Sequence, residues 1–553
     1  MFNNNKILVV IPARSSSGKI PRKNLRLLGN KPLISYSIRT ARNSQYVDDI
    51  VVATDDSEVA LLSEKFGASV FRYSNDSEEP ISIDALIYNA MIQKEKLALD
   101  EYDIVITLEP SAPLLETQTL DNAIEKFEDF AIDSVVTVVD DRHLNWGYDE
   151  ENQRYFPLYI KRVERDLLPK SFKETGSLLA TRRSFVYENS RLGTNIDLIE
   201  LSKKESINIV DNEDLLVAEN YLQKKRIAIV VDANDEMGTR NLDRCLSIAS
   251  KLFFHDILFL IEESRQLGIN ILNKYKYPFH VYDGEDELFE KLKQFSPHIV
   301  VNDILDTSSD YILKLKNEGY FVVNFEDLGV GSEFADVVFD SLYEQDSSQK
   351  NIFTGYKYYI LKEEFYFQPQ KIITNEVNNV LIYFDRADSD NLTEKVLNSI
   401  LATNFNGRIN IILGLNYPDK EGFISKIEIN PAIQVYTDTS NISEFMFKAD
   451  IIFTSAGKPT YDVCSLGVPT ICLSQDEREL THVFCGDVTG FINLGLGSNI
   501  SQNEIMEQFV ALVNNFEKRL EMNEKMLAVD LKNGFDNVYS VIKEEYRKFI
   551  LNR

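Results

Sequence analysis

Short runs of β-branched and aliphatic residues recur along the whole chain, separated by longer stretches in which apolar residues return at helical spacing. Ile7 to Ile11, Ile50 to Ala53, Ile104 to Leu108 and Val135 to Val139 predict strands in the first part. A second series starts at Ile227 to Val231, directly after the charged link Lys224-Lys225-Arg226. It continues through Ile257 to Ile261, His298 to Val301, Phe321 to Asn324, Val380 to Phe384, Ile409 to Leu413 and Ile451 to Thr454. Strand runs alternating with helical patterns predict α/β layers around largely parallel sheets. The charged link marks a domain boundary near residue 224, and an irregular stretch over 341–378 predicts a hinge between two Rossmann-like halves. The expected units are therefore 1–224, 225–370 and 371–553, with no short-period repeat or low-complexity tail.

Length and composition agree with this division. At about one domain per 100 to 200 residues, 553 residues provide three or four compact units. The chain is 44% hydrophobic and 26% charged, without an apolar run long enough to span a bilayer. Met1 to Lys6 is polar and leads straight into a strand without signal-peptide architecture, which predicts cytoplasmic residence. Cys245, Cys464, Cys472 and Cys485 show no paired metal spacing, and such sparse usage fits a reducing compartment. A net charge of −28 opposes binding to nucleic acid or to an anionic membrane, because the summed field repels phosphate. A nucleotide would have to be captured by a local cationic pocket.

The loop after the first strand offers one. Ile11-Pro12-Ala13-Arg14-Ser15-Ser16-Ser17-Gly18-Lys19-Ile20-Pro21-Arg22-Lys23-Asn24 brings Arg14, Lys19, Arg22 and Lys23 together among small residues. Backbone N–H groups and cations in such a turn neutralise phosphate oxygens; a solvated basic turn accounts for the same residues. Neither the Walker pattern nor the dinucleotide fingerprint is present.

This segment resembles the signature I-P-A-R-x-x-S-K-G-I-P-x-K-N of the CMP-sialic acid synthetase (acylneuraminate cytidylyltransferase) family, with Gly18 and Lys19 in exchanged order. Gly29 to Ile34 is similar to the family's G-x-P-L-I turn, and Val51 to Asp56 to its S/A-T-D strand end. Leu108-Glu109-Pro110-Ser111-Ala112-Pro113-Leu114-Leu115 resembles L-Q-P-T-S-P-L-R, with Glu109 replacing Gln and Leu115 replacing Arg. The resemblance implies a Rossmann-like nucleotidyltransferase domain with a nucleotide held by Ala13, Arg14, Ser15, Lys19, Asn24 and Ser111. It gives Arg14 and Lys23 catalytic roles on the phosphates, and Arg142, Arg162 and Arg165 the acidic sugar; each of these three is otherwise a surface cation. It further implies magnesium, and a homodimer formed through this domain.

The family's Asp-Ile-Asp metal element corresponds to Asn208-Ile209-Val210, followed by Asp211. Asn208 and Asp211 are the metal candidates, although Val offers no oxygen to a hard cation. Asp211 has a second reading, as a helix-capping carboxylate ahead of Asn212 to Leu222.

Beyond residue 226 the chain resembles the UDP-sugar hydrolase family of pseudaminic acid biosynthesis, which implies a two-lobed GT-B-like module. Asp232-Ala233-Asn234-Asp235-Glu236-Met237-Gly238-Thr239-Arg240-Asn241-Leu242-Asp243-Arg244-Cys245-Leu246 is similar to D-A-S-x-x-I-G-x-G-H-V-x-R-C-L. Gly355 to Phe365 looks like its G-P-x-Y-x-x-L-R-x-E-F segment, and Ser455 to Asp462 like its S-A-G-G-x-T-x-E element. The resemblance implies nucleotide contacts at Gly238, Ser455, Ala456, Gly457 and Asp462. Asn241 takes the position of the family's water-activating His, and an amide has no comparable basicity. Asn241 and Asp243 are the catalytic candidates there; Asp243 is equally readable as a solvated carboxylate in a first helical turn.

Together these resemblances imply a bifunctional protein of nonulosonic (sialic, legionaminic or pseudaminic type) acid biosynthesis. Its ligands would be CTP or a CMP-sugar and a UDP-sugar. The alternatives are a catalytically impaired nucleotide-sugar-binding or regulatory protein, and a GT-B glycosyltransferase.

Overall fold

The computed structural model describes residues 2–15, 19–74, 81–233, 239–343, 349–384, 388, 390–414, 417–427, 430–437, 439 and 441–552. Two compact units emerge, Met1–Lys224 and Lys225–Arg553.

The first unit is built on a seven-stranded sheet in the order Ile196–Glu200, Ser134–Asp140, Phe172–Arg182, Ile104–Leu108, Ile7–Pro12, Asp49–Thr54, Ser69–Arg72. Ile7 to Ile11 forms an unbroken apolar run because helices cover both faces of the sheet. Ile7, Val9 and Ile11 enter one core cluster, while Leu8 and Val10 enter another on the opposite face. The long strand Phe172–Arg182 departs from the parallel expectation, running antiparallel to both of its neighbours. Its pairing register shifts between Glu174 and Leu179, where Gly176 adopts φ +70°, a conformation that only glycine takes without strain.

The second unit holds two sheets whose paired strands all run parallel. One follows the order Phe279–Tyr282, Asp256–Glu262, Arg226–Val231, Ile299–Asp303, Phe321–Phe325, Val337–Asp340, Ile352–Thr354. The other follows Ile433–Thr437, Arg408–Leu413, Asn379–Tyr383, Ile451–Thr454, Thr470–Ser474, Ile492–Leu496. The same two-faced burial recurs: Ile227, Ile229 and Val231 part from Ala228 and Val230, and Val380 and Ile382 part from Leu381 and Tyr383. The stretch 341–378 is less irregular than its sequence suggests, since it contains strand Ile352–Thr354 and helix Glu363–Phe367. Helix Gly534–Leu551 returns to the seven-stranded sheet, where Tyr546 and Phe549 both meet Phe321 edge-on at 5.4 Å.

In all three sheets the first strand is flanked by later strands on both sides, so successive connections depart in opposite directions. The crevices opened this way, at the carboxyl ends of the strands, are where open α/β sheets bind ligands. They lie after Ile7–Pro12 and Ile104–Leu108, after Arg226–Val231 and Ile299–Asp303, and after Asn379–Tyr383 and Ile451–Thr454. No helix among the described residues is long and apolar enough to cross a membrane.

Candidate functional site

In the first unit the crevice contains a cavity of about 160 Å³ lined by Pro12, Arg14, Lys23, Asn24, Ile83, Glu109, Pro110 and Ser111. The first loop is pinned at both ends. Ala13 N–H donates to the Ala53 carbonyl at 2.8 Å, and the Ser15 backbone N–H and hydroxyl donate to the Asp55 carboxylate at 2.8 and 2.6 Å. Further along, the Asn24 amide donates to the Arg14 carbonyl at 3.0 Å, closing the loop on itself. Arg22 adopts φ +54°, which turns the chain into the short helix Lys23–Leu25 and delivers Lys23 and Asn24 to the cavity.

The second wall follows Ile104–Leu108. Glu109 N–H donates to the Ser177 carbonyl at 3.1 Å, and Ile209 N–H donates to the Ser111 carbonyl at 2.7 Å. Burial pushes the Lys23 ammonium below its ordinary pKa, against the pull of Glu109 and Asp214. Burial pushes Glu109 upward, opposed by Arg191, Lys23 and Arg14. The cavity thus juxtaposes cations suited to phosphate with one carboxylate of enhanced basicity.

Of the expected residues, Arg14, Lys23, Asn24 and Ser111 line this cavity, whereas Lys19 is exposed outside its lining. Residues 16–18 lie outside the described set. The three sugar-binding candidates do not line it either. Arg142 is locked onto Asp140, its Nε and Nη2 donating to the carboxylate at 2.6 to 3.0 Å; these bonds hold Asp140 down at about 2. Arg162 and Arg165 are exposed.

The metal candidates have other duties. The Asn208 amide donates to the Thr175 carbonyl at 3.1 Å. Asp211 caps helix Asn212–Gln223, accepting from Glu213 and Asp214 N–H at 3.1 and 3.2 Å, while Asp214 answers in a reciprocal capping box. Val210, between them, is half exposed and has no ligand atom. Among the described residues no group of His, Cys, Asp and Glu is arranged to hold a metal ion. These side chains do not fit a magnesium ion, which needs several hard oxygens free to converge.

The second unit gathers charge differently. Arg244, on helix Arg240–Lys251, forks onto Asp303 at 2.8 and 2.7 Å and reaches Glu326 at 3.1 Å, all three buried. The Ser341 hydroxyl donates to the same Glu326 oxygen, Oε1, at 2.6 Å. Burial opposes the Arg244 charge, yet Asp303 and Glu326 hold its pKa above the ordinary value. Burial, with Glu326 and Asp327 nearby, pushes Asp340 up to about 7. Burial and the Arg244 guanidinium push Lys458 down to about 7.

Lys458 Nζ lies 3.5 Å from the Asn241 side-chain oxygen, and the Asn241 amide approaches the Asp303 carbonyl at 3.4 Å. Asp243 is paired with Lys362 at 2.8 Å and accepts from the Thr239 hydroxyl at 3.0 Å. Ser455, Ala456 and Gly457 form the buried turn into helix Pro459–Leu466. A side chain at Gly457 would press to 2.8 Å from the buried Glu479 carboxylate. Asp462 is buried and accepts from the Tyr359 hydroxyl at 3.4 Å, and Tyr359 heads a stack through Tyr461 to Phe484 with centroid spacings of 4.2 and 4.0 Å. Gly238 lies outside the described residues. Sequence reasoning missed Arg244, Asp303, Glu326 and Lys458 as a cluster: Arg244 and Lys458 stand in two separate motif segments, and Asp303 and Glu326 in neither, so no local pattern joins them.

Comparison with known proteins matches residues 8–152 to the family described as Cytidylyltransferase. Pseudaminic acid cytidylyltransferase of Campylobacter jejuni is 41% identical over 126 residues, 22% of this chain and 53% of that protein. An uncharacterized protein of Methanocaldococcus jannaschii is 26% identical over 274 residues, 46% of this chain and 56% of its own length. The chain thus spans about half the length of these two relatives. Among solved structures, MurG of Acinetobacter baumannii is 15% identical, covering 58% of this chain and 99% of its own, with a TM-score of 0.44. The loop after Ile7–Pro12 and the wall after Ile104–Leu108, which together form the first cavity, both fall inside the matched stretch: the N-terminal unit carries a cytidylyltransferase-family domain.

Proposed function

We propose that the N-terminal unit transfers a cytidylyl group from CTP to the hydroxyl of an acidic nonulosonic sugar and releases pyrophosphate. The observation that carries this reading is the convergence of Arg14, Lys23, Asn24 and Ser111 on one cavity at the crevice of a cytidylyltransferase-family domain. Transfer at phosphorus depends mainly on positioning and charge neutralisation. Arg14 and Lys23 would neutralise the phosphate oxygens, Asn24 would hold the loop in its binding shape, and Ser111 would hydrogen-bond the nucleotide. Ser15, anchored on Asp55, would present its N-terminal neighbours to the triphosphate. We assign the reaction to the cytoplasm, where CTP is available.

Tyr148 and Tyr155 pair across one face of the hairpin Trp146–Asp149/Arg154–Pro157 at 4.9 Å, and Trp146, Leu158 and Ile160 are exposed close by in sequence, as are Arg162 and Arg165. Such a face suits a self-association surface, and we assign it to a homodimer in which those arginines meet the sugar carboxylate. For the second unit, the Ser455-to-Gly457 turn at the end of Ile451–Thr454 and Asp462 in the helix Pro459–Leu466 that follows suit a UDP-sugar, hydrolysed or transferred.

The test is pyrophosphate release from CTP with pseudaminic, legionaminic and N-acetylneuraminic acids, with and without magnesium. Release with at least one acid is expected. CTP that stabilises the fold with no release from any acid overturns this reading and leaves the nucleotide-binding alternative.

A further inference from the structure

We propose that the Glu109 carboxylate is the general base of cytidylyl transfer, taking the proton of the acceptor hydroxyl as its oxygen attacks the α-phosphorus. The inference rests on the reading of the N-terminal unit given above and adds to it the residue that activates the acceptor.

Geometry carries it. Glu109 is the first residue beyond Ile104–Leu108, at the crevice. Its backbone is held on three sides: the N–H donates to the Ser177 carbonyl, and its own carbonyl accepts from Ala112 N–H at 3.1 Å and from the Ser37 hydroxyl at 3.2 Å. The side chain lines the same cavity as Arg14, Lys23 and Ser111. Among the described residues its carboxylate accepts no hydrogen bond, although Arg14, Lys23 and Arg191 face it. Arg191 is already engaged by Asp84 at 2.7 Å, and Lys23 also faces Asp214. The carboxylate is therefore positioned by its backbone yet free to take a proton.

The electrostatics fit the role. Burial makes the carboxylate more basic than an ordinary Glu, and the surrounding cations keep it ionisable. In the step itself the acceptor O–H proton passes to Glu109, the new oxygen–phosphorus bond forms, and the bond from the α-phosphorus to its bridging oxygen breaks. Pyrophosphate leaves with that electron pair, and Glu109 returns its proton to water. A carboxylate present only to neutralise Lys23 and Arg14 would leave turnover insensitive to the loss of its basicity.

Glu109→Gln separates the two roles, because the family pattern carries Gln at this position and the amide preserves shape and polarity. The expected result is a kcat lower by ~10²–10⁴-fold with unchanged CTP affinity, and loss of the acid limb of the kcat/KM profile that wild type shows. Turnover by Glu109→Gln at the wild-type rate with the same acid limb overturns the inference. Should that variant not fold, Glu109→Ala with added formate decides: restored turnover supports the base, and intact CTP binding without restoration overturns it. A wild-type protein that releases no pyrophosphate with any acid instead overturns the underlying reading.

Discussion

The two units place charge at the carboxyl ends of their strands, but to opposite effect. In the first, Arg14, Lys23 and Glu109 line one cavity. In the second, Arg244 is consumed by Asp303 and Glu326, and Asp243 by Lys362. A crevice becomes a candidate site where charged side chains line a cavity. Charge that meets its partner inside the protein contributes to the fold instead. A buried ion pair adds little net stability but is costly to break, since the remaining charge stays desolvated.

Breaking the buried cluster has the largest expected effect. Arg244→Met strands Asp303 and Glu326 and should destabilise the second unit by about 3–5 kcal/mol, measured by chemical denaturation. Pyrophosphate release by the first unit should persist. Equal loss of that activity would show that the two regions are not energetically separate.

The converse test removes a cavity cation. Arg14→Ala should lower kcat/KM for CTP by ~10²–10³-fold, the usual cost of one stabilising donor, while the unfolding midpoint stays near wild type. A matching collapse of stability would make Arg14 part of the fold rather than of the site.

Titration distinguishes the buried acids. Asp340 ordinarily titrates near 3.8 and is raised to about 7 in the fold. Between those values the folded protein holds a proton the unfolded chain has released, so this group's contribution to stability falls as pH rises from about 4 to 7. Asp340→Asn should remove a fall of roughly 2–4 kcal/mol across that window, seen as a pH-dependent difference in unfolding free energy. Lys458, lowered from 10.5 to about 7, acts in the opposite sense above pH 7, because there the unfolded chain holds the extra proton.

The smallest effect concerns the former metal candidate. Asp211→Ala should cost about 1 kcal/mol of helix capping and leave the magnesium dependence of pyrophosphate release unchanged. A shift in that dependence would restore Asp211 as a ligand.

Much of the architecture was legible because it is local. Apolar runs such as Ile7 to Ile11 and Val380 to Phe384 mark strands, and the interval after Lys224 to Arg226 opens a second series. Phe172–Arg182 was illegible: Lys173, Glu174 and Thr175 interrupt its apolar pattern, and pattern carries no strand direction. At the site, Arg14, Lys23 and Asn24 stand in one loop and were readable together. Glu109 showed only as a departure from the family pattern, and its neighbours Lys23 and Arg191 come from distant segments.

By itself the sequence determined the alternation of strands and helices, the concentration of cations after the first strand and the capping potential of Asp211 and Asp214. These depend on neighbours a few positions apart. Only the tertiary structure decided that Glu109 faces a cavity with Arg14 and Lys23, that Arg244 pairs internally, and that Asn208 and Asp211 serve backbone groups. Whether a charge is available or spent depends on distance and burial among groups far apart in the chain, which the order of residues alone does not express.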